Sequence, residues 1–188
     1  MTGGIGSGKS EALRAFEALG AAVLSADEVV HRLYLDPDVV AAVVERFGAE
    51  VAPGGVVDRR RLGPAAFADA DGLRALEALL HPRVERARQE WAREMLRRDP
   101  PPPLLVCEVP LLFEVGLQDT FDAALVVTAS EAVRRVRVEG RGQSFNERRD
   151  RQIPEAEKVR MASAAFTNDG SVEALKAWVA DRFAEYRR

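Results

Sequence analysis

The chain has 188 residues, 47% hydrophobic and 30% charged, with a net charge of −3. This is the balance of a soluble globular protein of one domain, or of one domain with a small insert. It excludes bulk electrostatic attraction to nucleic acid or to a membrane surface, and no run approaches the roughly 18 apolar residues of a membrane span. A single cysteine, Cys107, excludes an intrachain disulfide and sits in an apolar run, where a buried inert thiol is the plain reading. The Gly-rich start lacks the apolar core of a signal peptide, so a reducing cytoplasm is the expected location. Basic residues are almost all arginine; lysine occurs only at Lys9, Lys158 and Lys176.

The first element is a loop. Gly3-Gly4-Ile5-Gly6-Ser7-Gly8-Lys9-Ser10 matches G-x-x-x-x-G-K-[ST]. Glycines let such a backbone curl until several N–H groups converge on one phosphate. The following helix adds its positive N-terminus at the same point. In this pattern Lys9 reaches the β- and γ-phosphates of ATP and the Ser10 hydroxyl ligates Mg²⁺. A buried strand normally precedes the loop, yet only Met1 and Thr2 stand before Gly3. The preferred expectation is that the true start lies upstream; the alternative is a fold that has lost its central strand.

Ala12, Leu13, Phe16 and Leu19 give the next segment a helical period. Ala21–Leu24 reads as a short buried strand ending at Asp27, and functional residues of α/β sheets gather at such carboxyl ends. Asp27 is therefore a candidate to accept the proton of an attacking hydroxyl. It is equally placed to cap a helix over 28–35. Asp36-Pro37 predicts an N-cap and a proline at the first helical position, for a helix burying Val40, Val43, Val44 and Phe47 and stopping at Gly48. Residues 58–100 hold no strand-like run. Leu73, Leu76, Leu79 and Leu80 form one stripe and Val84, Ala87, Trp91 and Met95 another, with His81-Pro82 at the junction between two helices. The region reads as a small helical insert that ends at four prolines, Pro100 to Pro103. A lone histidine such as His81 is more often structural than a ligand.

Strands resume at Leu104–Val109 and Ala123–Val127. Glu108 ends the first of these and is a candidate for the Mg²⁺ shell. Thr128 and Glu131 have capping-box spacing. Arg137 and Arg141 lie four apart, on one helix face, and lead into a polar segment holding Arg148, Arg149 and Arg151. Because guanidinium groups match phosphate oxygens, residues 137–155 read as a lid over the phosphates; a solvated basic face is the alternative. Ala164–Thr167 is a last short strand. Ser171 then caps a helix with Val172, Leu175, Val179 and Phe183 on one side.

These elements predict an α/β P-loop kinase over 1–188. It would have a parallel five-stranded sheet flanked by helices, its first strand largely missing from this chain, plus the helical substrate-binding insert and the Arg-rich lid.

Several segments are similar to the dephospho-CoA kinase family. Thr2–Ser10 resembles its phosphate loop, and Ser25-Ala26-Asp27 resembles an Asp-Ala-Asp element with serine in the first place. Leu79-Leu80-His81-Pro82 resembles a motif of the CoA-binding insert. Val109-Pro110-Leu111-Leu112-Phe113-Glu114 matches a segment typical of the family. Arg137-Val138-Glu139-Gly140-Arg141 looks like the start of its lid, here short and without the usual Asp-Gly-Leu. Gln152-Ile153-Pro154 and Thr167-Asn168-Asp169-Gly170 resemble two further elements. The resemblance implies transfer of the γ-phosphoryl group of ATP, with Mg²⁺, to the ribose 3′-hydroxyl of dephospho-CoA, the last step of coenzyme A synthesis. It makes Lys9, Asp27 and Arg141 the catalytic residues. Gly4, Ile5, Gly6, Ser7, Gly8, Lys9, Ser10, Arg137, Arg141 and Asn168 would hold ATP. Asp27, His81, Pro82 and Leu111 would hold dephospho-CoA. The expected partner is that small molecule, with no nucleic acid or membrane, and the expected state is a monomer or weak homo-oligomer. Two other readings stand beside it: another small-molecule or nucleotide kinase on the same scaffold, or a truncated inactive nucleotide-binding protein.

Overall fold

Four apolar runs become strands: β1 (Ala22–Ser25), β2 (Leu105–Glu108), β3 (Leu125–Thr128) and β4 (Ala164–Thr167). The computed structural model describes residues 1–68, 70–140 and 152–187. Its contacts divide the chain into two units, Met1–Leu24 with Met95–Arg188, and Ser25–Glu94.

In the first unit, β1 pairs with β2, and β3 pairs with β4 in parallel, with Leu125 opposite Ala164 and Thr128 opposite Thr167. Met1 and Thr2 lie between these pairs. The Met1 nitrogen donates to Cys107 O (2.7 Å) and the Met1 carbonyl accepts from Val109 N (2.9 Å). On the other side, Thr2 N donates to Leu125 O (2.8 Å) and Val127 N to Thr2 O (3.0 Å), a parallel bridge. The place left open by the sequence pattern for a strand before the loop is thus occupied, over two residues, on both edges.

Successive β3 side chains point to opposite faces, as the pleat requires. Leu125 and Val127 join a core with Met1, Ala12, Leu13, Phe16, Leu175, Val179 and Phe183. Val126 joins a second core with Leu112, Phe113 and Ala124. Helices α1 (Lys9–Ala18) and α8 (Val172–Tyr186) supply the first core. α1 stops because Gly20 takes φ 95°, which L side chains rarely adopt. Ala21 N then bonds Phe16 O (3.1 Å) and Gly20 N bonds Glu17 O (2.9 Å), the Schellman pattern. Ser171 caps α8 by accepting from Ala174 N (3.2 Å). Val172 is exposed, so the buried stripe begins at Leu175.

Between them come α6 (Glu131–Glu139) and α7 (Glu155–Met161). The expected Thr128 capping box does not form. Thr128 completes β3, Ser130 takes the cap position without a side-chain bond, and Ser130 N instead donates to Asp169 Oδ1 (2.7 Å).

The second unit is helical: α2 (Ala26–Leu33), α3 (Pro37–Phe47), α4 (Arg59–Phe67) and most of α5 (Ala70–Leu96). Asp36 Oδ1 accepts from Asp38 N (2.9 Å) and Val39 N (3.4 Å), with Pro37 in the first turn, as predicted. Val39 and Val43 are the fully buried positions of α3 and pack with Tyr34, Val51, Leu62, Ala66 and Leu80. Two predictions fail here. The helix after β1 starts at Ala26, so Ser25 holds the cap position and Asp27 lies in the first turn. No junction separates the two stripes either: α5 runs 27 residues through Pro82. A proline there removes one N–H and crowds the carbonyl a turn earlier. The Leu79 carbonyl next to that turn takes a side-chain bond from Arg83 Nη1 (2.8 Å), and Leu76, Leu79 and Leu80 pack the turns before the proline into the helical core. Among the described residues no helix is long and apolar enough to cross a membrane.

Candidate active site

The phosphate-loop candidate, Gly3–Ser10, runs from the Met1–Thr2 bridge into α1. Its shape is set by glycines that nothing larger replaces. Gly3, Gly6 and Gly8 have φ of 149°, 77° and 104°. A Cβ on Gly3 would lie 1.9 Å from Val127 O, and one on Gly8 2.3 Å from Asn168 Nδ2. The loop is tied down from outside. Asn168, buried just past β4, donates from Nδ2 to Ser7 O (2.8 Å), and Arg137 Nη1 donates to Gly6 O (3.4 Å). Within the loop, Ser7 N bonds Gly4 O (3.2 Å).

Lys9 folds back over this curve. Its ammonium donates to Gly4 O (3.2 Å) and stands 3.8 Å from Glu108 Oε1, with both side chains largely buried. Sheet pairing brings the two together, since Glu108 ends β2 and Val109 bonds Met1. The Met1 amine on that same edge is lowered to about 6 by burial, with Cys107 and Glu108 opposing the shift.

An anion suits this loop. The first turn of a helix leaves N–H groups without intrahelical acceptors, and the helix dipole adds positive potential there. Ser7 Oγ is fully buried with no hydrogen-bond partner among the described residues. The residues also fit Mg²⁺ carried in with a nucleotide. That ion takes one or two protein oxygens and completes its octahedron with phosphate and water. Ser10, exposed in the first turn of α1, and Glu108 offer such oxygens. No group of three or more His, Cys, Asp or Glu side chains forms a separate metal cage among the described residues.

The remaining predicted residues fall as follows. Gly4, Ile5, Gly6, Ser7, Gly8, Lys9, Ser10, Glu108, Arg137 and Asn168 come together in the sheet unit. Leu111 is half-buried on the turn after β2 in that unit. Asp27, in α2, and His81 and Pro82, in mid-α5, belong to the helical unit and are exposed. Arg141 lies outside the described residues, as do Arg148, Arg149 and Arg151. Sequence reasoning missed Arg134, Glu155 and Lys158. Arg134 is buried on α6, with Nε donating to Ala129 O (3.0 Å) and Nη1 3.6 Å from Glu155 Oε1. Lys158 is fully buried and pairs with Glu114 Oε1 at 2.8 Å, an oxygen that also accepts from Ile153 N (3.1 Å). The rarity of lysine in this chain was the one available signal for Lys158.

The family model for dephospho-CoA kinase matches residues 1–174. The chain belongs to the dephospho-CoA kinase family. A dephospho-CoA kinase of Anaeromyxobacter dehalogenans is 40% identical, over 97% of this chain and 88% of that one. That of Chlamydia abortus is 35% identical, over 97% and 93%. Among solved structures, TT1252 from Thermus thermophilus is 34% identical, with a TM-score of 0.83 over 100% of this chain and 96% of that one. Dephospho-CoA kinase from Campylobacter jejuni shares the fold at a TM-score of 0.63 and 20% identity, over 99% and 96%. The family is one of ATP-dependent kinases that act on dephospho-CoA in the final step of coenzyme A biosynthesis.

Proposed function

We propose that this dephospho-CoA kinase transfers the γ-phosphoryl group of ATP to the ribose 3′-hydroxyl of dephospho-CoA. The bond from the 3′-oxygen to γ-phosphorus forms, the bond from that phosphorus to the β,γ-bridging oxygen breaks, and ADP leaves. The observation that carries the reading is the Lys9 ammonium, bridging the loop carbonyl of Gly4 and the carboxylate of Glu108 at the carboxyl end of β2. There it meets the β- and γ-phosphates as the loop amides of Gly4–Ser10 converge on them.

Phosphoryl transfer spreads charge over oxygens, so positioning and electrostatics dominate. Lys9 and Arg137 neutralise phosphate charge, and Arg141 is assigned the transferring group. Ser10 and Glu108 are the residues for Mg²⁺, which when bound offsets charge on the phosphate oxygens. Asn168 fixes the loop at Ser7 for the nucleotide. Asp27 accepts the proton of the 3′-hydroxyl. His81, Pro82 and Leu111 are assigned to dephospho-CoA, within a helical insert over 58–100, and residues 137–155 to a lid. The sheet is proposed as five-stranded and parallel, with the segment at Met1–Thr2 as its central member. The proposed setting is the cytoplasm, as a monomer or weak homo-oligomer.

The test is turnover with ATP, Mg²⁺ and dephospho-CoA, following ADP and 3′-phosphorylated product. Lys9→Ala should remove most turnover in a folded protein. Asp27→Asn should keep ATP affinity and melting temperature but lower kcat by about 10²–10⁴. Asp27 lies in the first turn of α2, not at its cap, and its charge there contributes only about 0.3–1 kcal/mol, so a near-normal kcat reduces Asp27 to a structural residue. Undiminished turnover in Lys9→Ala would sink the loop assignment.

A further inference from the structure

One contact on the phosphate loop has no part in the reading so far. A Cβ on Gly4 would lie 2.0 Å from Glu155 Oε1 and 2.7 Å from Arg134 Nη1. The carboxylate and the guanidinium therefore occupy the space beside the Gly4 backbone, where any side chain would collide with both. Arg134 approaches from α6 and Glu155 from the first turn of α7. They face each other at 3.6 Å. Arg134 also meets the next glycine: a Cβ on Gly6 would lie 2.7 Å from the Arg134 carbonyl. Its Nε bond to Ala129 O anchors the guanidinium to the chain just after β3. Both Glu155 oxygens are buried without hydrogen-bond partners among the described residues, leaving the ion pair to compensate that charge.

We propose that Arg134 is a positioning residue for the phosphate loop, held in place by Glu155, and that the pair sets the affinity for the phosphates of ATP. The inference rests on the loop being the ATP site and deepens that reading. Two physical consequences follow from the geometry. The planar guanidinium packs against Gly4 as a lysine ammonium does not, so it fixes the curvature on which converging amides depend. It also neutralises a carboxylate beside a loop that must take a polyanion. Without Arg134, Glu155 would face the triphosphate uncompensated, and like charges in a partly buried setting repel strongly.

The experiment measures KM for each substrate, kcat and melting temperature in Arg134→Met, Arg134→Lys, Glu155→Gln and the double variant Arg134→Met/Glu155→Gln, with Lys9→Ala as reference. Arg134→Met should raise KM for ATP about tenfold, the effect of losing one well-placed charged contact, with KM for dephospho-CoA unchanged. Glu155→Gln should raise it less. The double variant should be no worse than Arg134→Met, because contacting residues acting as one unit are not additive. Should Arg134→Met fail to fold, Arg134→Lys carries the test, with an intermediate rise in KM for ATP at native stability. An unchanged KM for ATP in folded Arg134 variants, or single effects that multiply in the double, would overturn the inference while a dead Lys9→Ala leaves the ATP site standing. An active Lys9→Ala with normal KM for ATP would overturn both.

Discussion

Both units carry ion pairs between helix neighbours, Glu11–Arg14, Glu131–Arg135 and Arg182–Glu185 in the sheet unit among them, but among the described pairs the sheet unit adds ones that are remote in sequence. In the helical unit, Asp58–Arg61, Asp71–Arg74 and Glu85–Arg88 join neighbours one turn apart. In the sheet unit, Lys9–Glu108, Arg134–Glu155 and Glu114–Lys158 join residues remote in sequence, with Lys158 fully buried. Local pairs, exposed or part-buried as at Glu85–Arg88, decorate a helix that packing already specifies, and each contributes little. Remote buried pairs cost desolvation, so their value lies in where they hold things. Lys9–Glu108 sits inside the phosphate loop, Arg134–Glu155 outside it, and Glu114–Lys158 fastens α7, which carries Glu155.

That contrast breaks most visibly at Glu114–Lys158. Lys158→Met leaves a carboxylate largely buried without its cation and should destabilise the fold by about 3–5 kcal/mol, the usual cost of breaking a buried pair. Glu114→Gln combined with Lys158→Met should recover part of that loss in chemical denaturation. A double variant as unstable as the single would mean that packing, not charge, makes the site sensitive. At the helical unit the largest local effect is a cap. Asp36→Ala removes the acceptor of two backbone N–H groups and should cost about 1 kcal/mol, with Asp36→Asn near neutral and turnover per folded molecule unchanged.

The smallest effect sharpens the comparison through pH. The Arg88 hydrogen bond to Glu85 lowers that carboxyl below its usual range, followed by opposing burial and a further bond from Gln89. A depressed folded pKa stabilises above the unfolded pKa and loses that stabilisation as pH falls through the folded value. Glu85→Gln should therefore cost about 0.3–0.5 kcal/mol at neutral pH and nothing once both states are protonated. A cost that persists in acid would mean that shape, not charge, matters there.

Much of the site was legible because its signals are local. A phosphate loop declares itself through glycine spacing, one lysine and the helical period after it. The Asp36 and Ser171 caps depend only on side chains meeting amides two or three residues on. The helix boundary at Asp27, the proposed junction at Pro82 and the Thr128 capping box failed where partners outside the motif decided the outcome: Ser25 completing β1, the leucines before Pro82 packing into the helical core, and Asp169 reaching Ser130 from beyond β4.

The sequence by itself determined the strands, the phosphate loop and its family, since period, glycine spacing and ordered motifs are one-dimensional signals. Only the tertiary structure decided that Met1 and Thr2 bond both β2 and β3. It alone decided that Asn168 grips the loop at Ser7, and that Arg134 and Glu155 close on Gly4. Those contacts join positions that no local pattern couples. They exist because sheet pairing and the two cores bring the ends of β2, β3 and β4 to one edge.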